Sequence, residues 1–195
     1  MRRSELAPYA CAIVNLAAAV ALATVLAPGA TNAPTEANAE YVRAHIELWR
    51  AGWLLWTAAA ISLIAFFAWW AARLGRSVWL WVALATACAG LAFDLAAQSL
   101  LIAWSPEHYL DTAPLAFRLT GIGANGLYSV AGLILTARTP VLPHWLAPWS
   151  WTVWLLGVGL SGAVALGSDV AARLLTAALF ALLVPWLVVF GRRLR

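Results

Sequence analysis

The sequence predicts an all-α protein, a polytopic membrane bundle of six transmembrane helices forming one domain over residues 1–195. Three observations predict it. The chain is 64% apolar and only 10% charged, whereas a soluble domain carries about 25% charged residues to cover its surface. Six apolar runs reach the roughly 20 residues that a helix needs to cross a bilayer core about 30 Å thick. The breaks between those runs hold helix-stopping residues, and the positive charges gather at alternate breaks.

The first span is expected over 6–27, after Arg2-Arg3 and before Pro28-Gly29. Its charged start, apolar run and Thr31-Asn32-Ala33 also resemble a secretory signal. The run exceeds the 7–15 residues usual for a signal core, and Pro34 follows the supposed cut, so an uncleaved helix is the reading adopted. The polar stretch from Pro28 to Leu48 is the longest connection. Glu36–Trp49 lacks Gly and Pro and offers Arg43 and Glu47 four apart, which predicts a short helix lying at the interface.

The second span is expected over 49–72 and the third over 78–104, separated by Arg73-Leu74-Gly75-Arg76. Ser105-Pro106-Glu107-His108 precedes a fourth span over 115–137. Thr139 to Pro148 carries three prolines before a fifth span over 149–167, and Gly167-Ser168-Asp169 turns tightly into a sixth over 170–190. Asp169 is placed to cap that last helix and to pair with Arg173 one turn on.

All 12 basic residues are arginine. Arg2, Arg3, Arg73, Arg76, Arg138, Arg192, Arg193 and Arg195 fall on one side; Arg43, Arg50, Arg118 and Arg173 fall on the other, with most of the acidic residues. The positive-inside rule then puts both termini in the cytoplasm of a plasma-membrane protein, the bacterial inner membrane being the expected setting. The basic residues form no continuous patch and no nucleic-acid-binding motif, so nucleic acid is not an expected partner. The bilayer is, together with a lipid, a small apolar ligand or another membrane protein. Cys11 and Cys88 have neither CxxC spacing nor a nearby histidine and read as small apolar residues. No metal site, cofactor or catalytic set is expected from three scattered histidines.

Gly121-Ile-Gly123-Ala-Asn-Gly126 matches a dinucleotide-binding pattern in letters only. It lies inside an apolar helix rather than between a strand and a helix, so close helix packing is the expected role. Gly159-Leu-Ser161-Gly162 resembles the nucleophile motif of rhomboid proteases, as Trp49-Arg50 resembles their loop pair. That chemistry needs a histidine base on the last helix, and none is there. Gly159, Ala163 and Gly167 instead read as a small-residue packing seam.

Polar residues inside the spans are the candidate site. Asp94 and Gln98 lie one turn apart on the third span, and Arg118, Gly121, Asn125, Tyr128 and Gly132 recur at steps of three or four on the fourth. At 1.5 Å per residue both stripes lie roughly 15 Å below the same surface, and Asn15 on the first span could join them. A carboxyl group at that depth costs about 2.5–3.5 kcal/mol on insertion scales. It therefore marks either a functional site or a hydrogen-bonded strut between helices. Of the 13 tryptophans, most fall where an aromatic belt would lie. Trp49, Trp53 and Trp56 share one face and could wall a flat apolar ligand. Arg50 and Arg118 complete the outer candidates.

The layout resembles that of uncharacterised bacterial six-helix membrane proteins. It does so in the first span, the polar loop ending Leu48-Trp49-Arg50-Ala51-Gly52, and Ala124-Asn125-Gly126-Leu127-Tyr128. The resemblance implies the fold and no activity. The leading expectation is a non-catalytic binder of an apolar ligand, lipid or partner. The alternatives are a small proton-coupled transporter using Asp94 and a lipid-modifying enzyme using Arg50, Arg118, His45 and His108.

Overall fold

The computed structural model describes residues 6–104, 107–140 and 142–194. Arg2, Arg3, Glu5, Arg195 and the Ser105-Pro106 break lie outside the described residues, as does the side chain of Trp104. Among the described residues all regular structure is helical. The helices are α1 (Ala7–Leu26), α2 (Glu36–Ala44), α3 (Ile46–Ala71), α4 (Val78–Ala103), α5 (Tyr109–Arg138), α6 (Leu146–Ala165) and α7 (Asp169–Arg193).

Five of them, α1, α3, α4, α5 and α7, are long and apolar enough to cross a membrane. The sixth expected span, α6, is 20 residues long but is not among the five. Pro148, Trp149, Ser150, Trp151, Thr152 and Trp154 crowd its first half and dilute its hydropathy. The helix ends also shift. α3 begins at Ile46 rather than residue 49, because the expected interfacial helix stops at Ala44 and the chain kinks at His45 (φ −123°, ψ 31°). α5 begins at Tyr109 rather than 115, tolerating Pro114 within its second turn, where the missing N–H removes one hydrogen bond.

The six long helices form a ring in chain order: α1 packs on α3, α3 on α4, α4 on α5, α5 on α6, α6 on α7, and α7 returns to α1. Alternating direction puts the start of α1 and the end of α7 at one end of the ring and α2 at the other. Ile13, Leu54, Trp81, Val130, Leu155 and Leu174, one from each helix, are exposed on the outside, an apolar girdle that a soluble monomer of this size does not show.

At the termini end the ring is filled by Phe66, Trp70, Trp154, Trp186 and Phe190. Trp154 and Trp186 meet edge to face at 5.4 Å and Trp70 meets Phe190 at 4.6 Å, geometries that add to area burial. Arginines at the same end lie over other tryptophans: Arg73 lies 3.9 Å over Trp69, Arg138 lies 4.9 Å over Trp79 and Arg193 lies 5.7 Å over Trp145. The tryptophans thus divide. Trp79, Trp81 and Trp145 are exposed as a belt requires, whereas Trp49, Trp53, Trp69 and Trp70 are core.

The expected α6–α7 seam is only partly formed. Ala163 is buried, but Gly167 lies past the helix end at φ 69°, and Gly159 meets Leu175 only at ordinary contact distance. Closer approaches occur elsewhere. Gly121 packs on Val164 of α6 and Gly123 on Phe93 of α4, where an added Cβ would lie 2.8 and 2.9 Å away. Ser161 donates to the Gly157 carbonyl at 3.2 Å, a local bond to the preceding turn.

Candidate functional site

Beyond the aromatic plug, towards the α2 end, the ring encloses a cavity of about 490 Å³. That volume falls within the range of small-molecule sites. Trp53 and Trp56 of α3, Phe117 of α5 and Phe180 of α7 line its apolar wall. Trp56 meets Phe180 edge to face at 5.7 Å, and Trp53 lies 5.9 Å from Phe117. Asn15, Asp94, Asn125 and Tyr128 form a polar patch within it.

Asp94 is buried at 3% exposure between α4 and α5. Its carboxyl accepts the Thr120 hydroxyl at 2.8 Å and the Tyr128 hydroxyl at 3.3 Å. Two features of the chain place those donors. Gly90 lies one turn before Asp94, and a Cβ there would sit 2.9 Å from the Tyr128 ring; the glycine opens the slot through which the ring passes. The second is a wide turn at Leu119–Ala124 with i→i+5 bonding. In a regular helix Thr120 and Tyr128, eight residues apart, point about 80° apart. One extra residue in a turn brings them within about 20°. The same turn swings Arg118 about half-way round from Tyr128, so it is exposed and does not line the cavity.

Gln98 is buried and does not line the cavity; its Oε1 accepts from Thr57 of α3, and its side chain also lies beside the Asp94 carboxyl one turn back. The Asn15 amide nitrogen donates to the Cys11 carbonyl at 2.9 Å and to Ser62 at 3.3 Å. Asn125 lines the cavity, and its side-chain amide has no hydrogen-bond partner among the described residues.

Of the outer candidates, Trp49 and Arg50 serve the fold. Trp49 donates through Nε1 to the Leu101 carbonyl at 3.0 Å, and Arg50 through Nε to the Ile102 carbonyl at 3.2 Å. These are carbonyls that the end of α4 leaves without intrahelical partners. Arg50 also pairs with Glu47 at 3.5 Å, and Arg43 pairs with Glu36 instead of the expected Glu47. His45 stacks on Tyr41. Neither it nor His108 lines the cavity. Cys11 is buried and Cys88 exposed, both as free thiols.

The mouth is held by a residue with a different job from the expected one. Ser168, not Asp169, caps α7, accepting from Ala171 N at 3.4 Å. Asp169 accepts from the Thr31 hydroxyl, from Asn32 N at 3.2 Å and from Asn32 Nδ2 at 2.7 Å. Among the described residues it makes no direct salt bridge with Arg173, but that guanidinium is near enough to favour the charged carboxylate, and it donates to the Ala30 carbonyl at 3.4 Å. The loop before α2 is thus latched to the start of α7 across the cavity rim. Asp169→Ala is expected to free residues 30–33 at a cost of about 1 kcal/mol. Hydrogen–deuterium exchange there should speed up relative to the wild type; unchanged protection would mean that the latch bears no load.

Comparison with protein-family models, curated protein sequences and solved structures finds no match to the chain.

Proposed function

We infer that this chain is a six-span integral membrane protein, with both termini in the cytoplasm, that holds a small apolar or amphipathic ligand inside its helical ring without catalysing its conversion. The observation that carries the reading is the cavity of about 490 Å³ with aromatic walls and a polar patch. A void of that size left empty would forfeit the dispersion contacts of its lining. The outward face of α6, with Trp151, Leu155 and Val158 exposed, supports counting it as the sixth span. The gathering of Arg73, Arg76, Arg138, Arg192 and Arg193 at the termini end supports the orientation. A reporter active only outside the cytoplasm, fused after Arg195, should be silent; activity would reverse or break the topology.

A ligand bound to the folded state alone raises the melting temperature, the stabilisation growing as RT ln(1 + L/Kd), where L is the free ligand concentration. Adding back a lipid extract from the producing cell to delipidated protein should therefore raise it. No change at saturating extract would count against the binding role.

Asp94 favours a second reading, a proton-coupled carrier. It is an intramembrane carboxyl group lining the cavity and held by hydroxyl donors. Carriage predicts that Asp94→Asn abolishes solute-dependent flux in vesicles while the fold survives.

A further inference from the structure

Part of the cavity lining lies on exposed residues of α1 and α7. Near the termini end α1 and α7 touch, with Gly191 so close to Pro8 that an added Cβ would lie 2.6 Å from it. Towards the α2 end they diverge, because the last turn of α1, Leu22–Leu26, packs on α3 rather than α7. The gap is lined by Ala19 and Ala23 of α1 and by Thr176 and Ala177 of α7, and Ala23 and Ala177 are exposed. Small side chains that both line the cavity and reach the surface would let it meet the bilayer here as well as water at its mouth.

The polar patch inside has a definite chemistry. The Asp94 carboxyl and the Asn15 carbonyl oxygen are acceptors, the latter with no partner among the described residues. The Asn125 amide adds an acceptor and a donor. Arg173, at the rim, is the one cation among the described lining residues. An anionic head would therefore meet a carboxyl group and no positive charge within the ring, whereas a hydroxyl or amino head finds acceptors.

We propose that the cavity is loaded from the bilayer through the α1–α7 slot by a single-tailed amphiphile whose hydroxyl or amino head donates to an acceptor among Asn15, Asp94 and Asn125 while its tail runs out past Ala23 and Ala177. This rests on the membrane-binder reading above and adds the route and the head chemistry.

The test uses full-length protein in lipid nanodiscs and three probes of equal chain length: a long-chain alcohol, amine and carboxylate. Each carries a photoreactive diazirine beside its head. Cross-links are mapped by peptide mass spectrometry, with excess unlabelled compound to show saturation. The alcohol or the amine should label residues 124–129 saturably, at least tenfold more than the carboxylate; which of the two wins identifies the head. Ala177→Trp should cut that labelling about tenfold. Ala177→Cys in a Cys88→Ser background, blocked with a bulky thiol reagent after folding, should do the same and removes any effect on folding. Equal labelling by the carboxylate would overturn the head chemistry, and undiminished labelling of both blocked proteins would overturn the route. If no probe labels the patch while the lipid extract still raises the melting temperature, the inference fails and the binder reading survives. Failure of both experiments removes both.

Discussion

Replacing Gly132 with leucine is expected to destabilise the bundle more than any other single small-to-large change on α5. A Cβ at that position would lie closer to the Trp154 indole on α6 than real Cβ contacts allow, and that ring is part of the aromatic plug, 5.4 Å from Trp186. Trp154 is a rigid bicyclic side chain packed against Phe67, Trp70 and Trp186, so it cannot shift without disturbing them. The helices must separate, at a cost of about 3 kcal/mol. Gly162 provides the contrast, since a Cβ there meets nothing within 4 Å. Gly162→Ala should be neutral or slightly stabilising, by up to about 1 kcal/mol from helix propensity. Thermal unfolding in detergent separates the two; equal melting temperatures would mean that α5 and α6 do not pack as described.

Asp94 should give the second large effect, graded rather than abrupt. The carboxyl accepts one hydrogen bond on each oxygen, from Thr120 at 2.8 Å and Tyr128 at 3.3 Å. Asn at this position keeps one acceptor, and Leu keeps none and strands both hydroxyls. Interhelical hydrogen bonds in membranes contribute about 0.6 kcal/mol on average and up to about 1.7 kcal/mol. Asp94→Asn should therefore cost less than about 1 kcal/mol, and Asp94→Leu about 1–3 kcal/mol. The cost of placing a carboxyl group in the bilayer enters both the packed and the separated helices, so it largely cancels. Thr120→Val removes the shorter bond alone and should fall between them. If Asp94→Leu melted with the wild type, the pairing would contribute nothing to the fold.

Much of the fold was legible because bilayer thickness sets helix length and leaves only the ends to local chemistry. The ends moved where a rule was softer than assumed: α5 accommodates Pro114 near its start, and α2 stops at His45 although no Gly or Pro breaks it. The site was legible in outline. Asp94, Asn125, Tyr128, Asn15, Trp53 and Trp56 do line one cavity, since polar groups inside an apolar helix have few places to go. Thr120 escaped because regular spacing points it away from Tyr128, and only the wide turn at Leu119–Ala124 realigns it. Arg118 was assigned to the stripe for the same reason. Gln98 was grouped with Asp94 by spacing and lies beside it, but spacing gave no sign of its bond to Thr57 on another helix. Phe117 and Phe180 carry no polar signal, and Asp169 pairs with residues 137 and 138 positions away, beyond the reach of any local rule.

The central claim is that the ring holds a membrane-derived molecule in its cavity. Native mass spectrometry of the full chain, released from mild detergent, tests it directly when the wild type is compared with Ala60→Trp. Ala60 is a buried residue on the cavity lining, and an indole there would fill much of the space. The wild type should carry one additional small mass, lost on activation in the gas phase, and Ala60→Trp should appear without it at an unchanged charge-state distribution. A bare wild-type chain, or the same adduct on both proteins, would contradict the account.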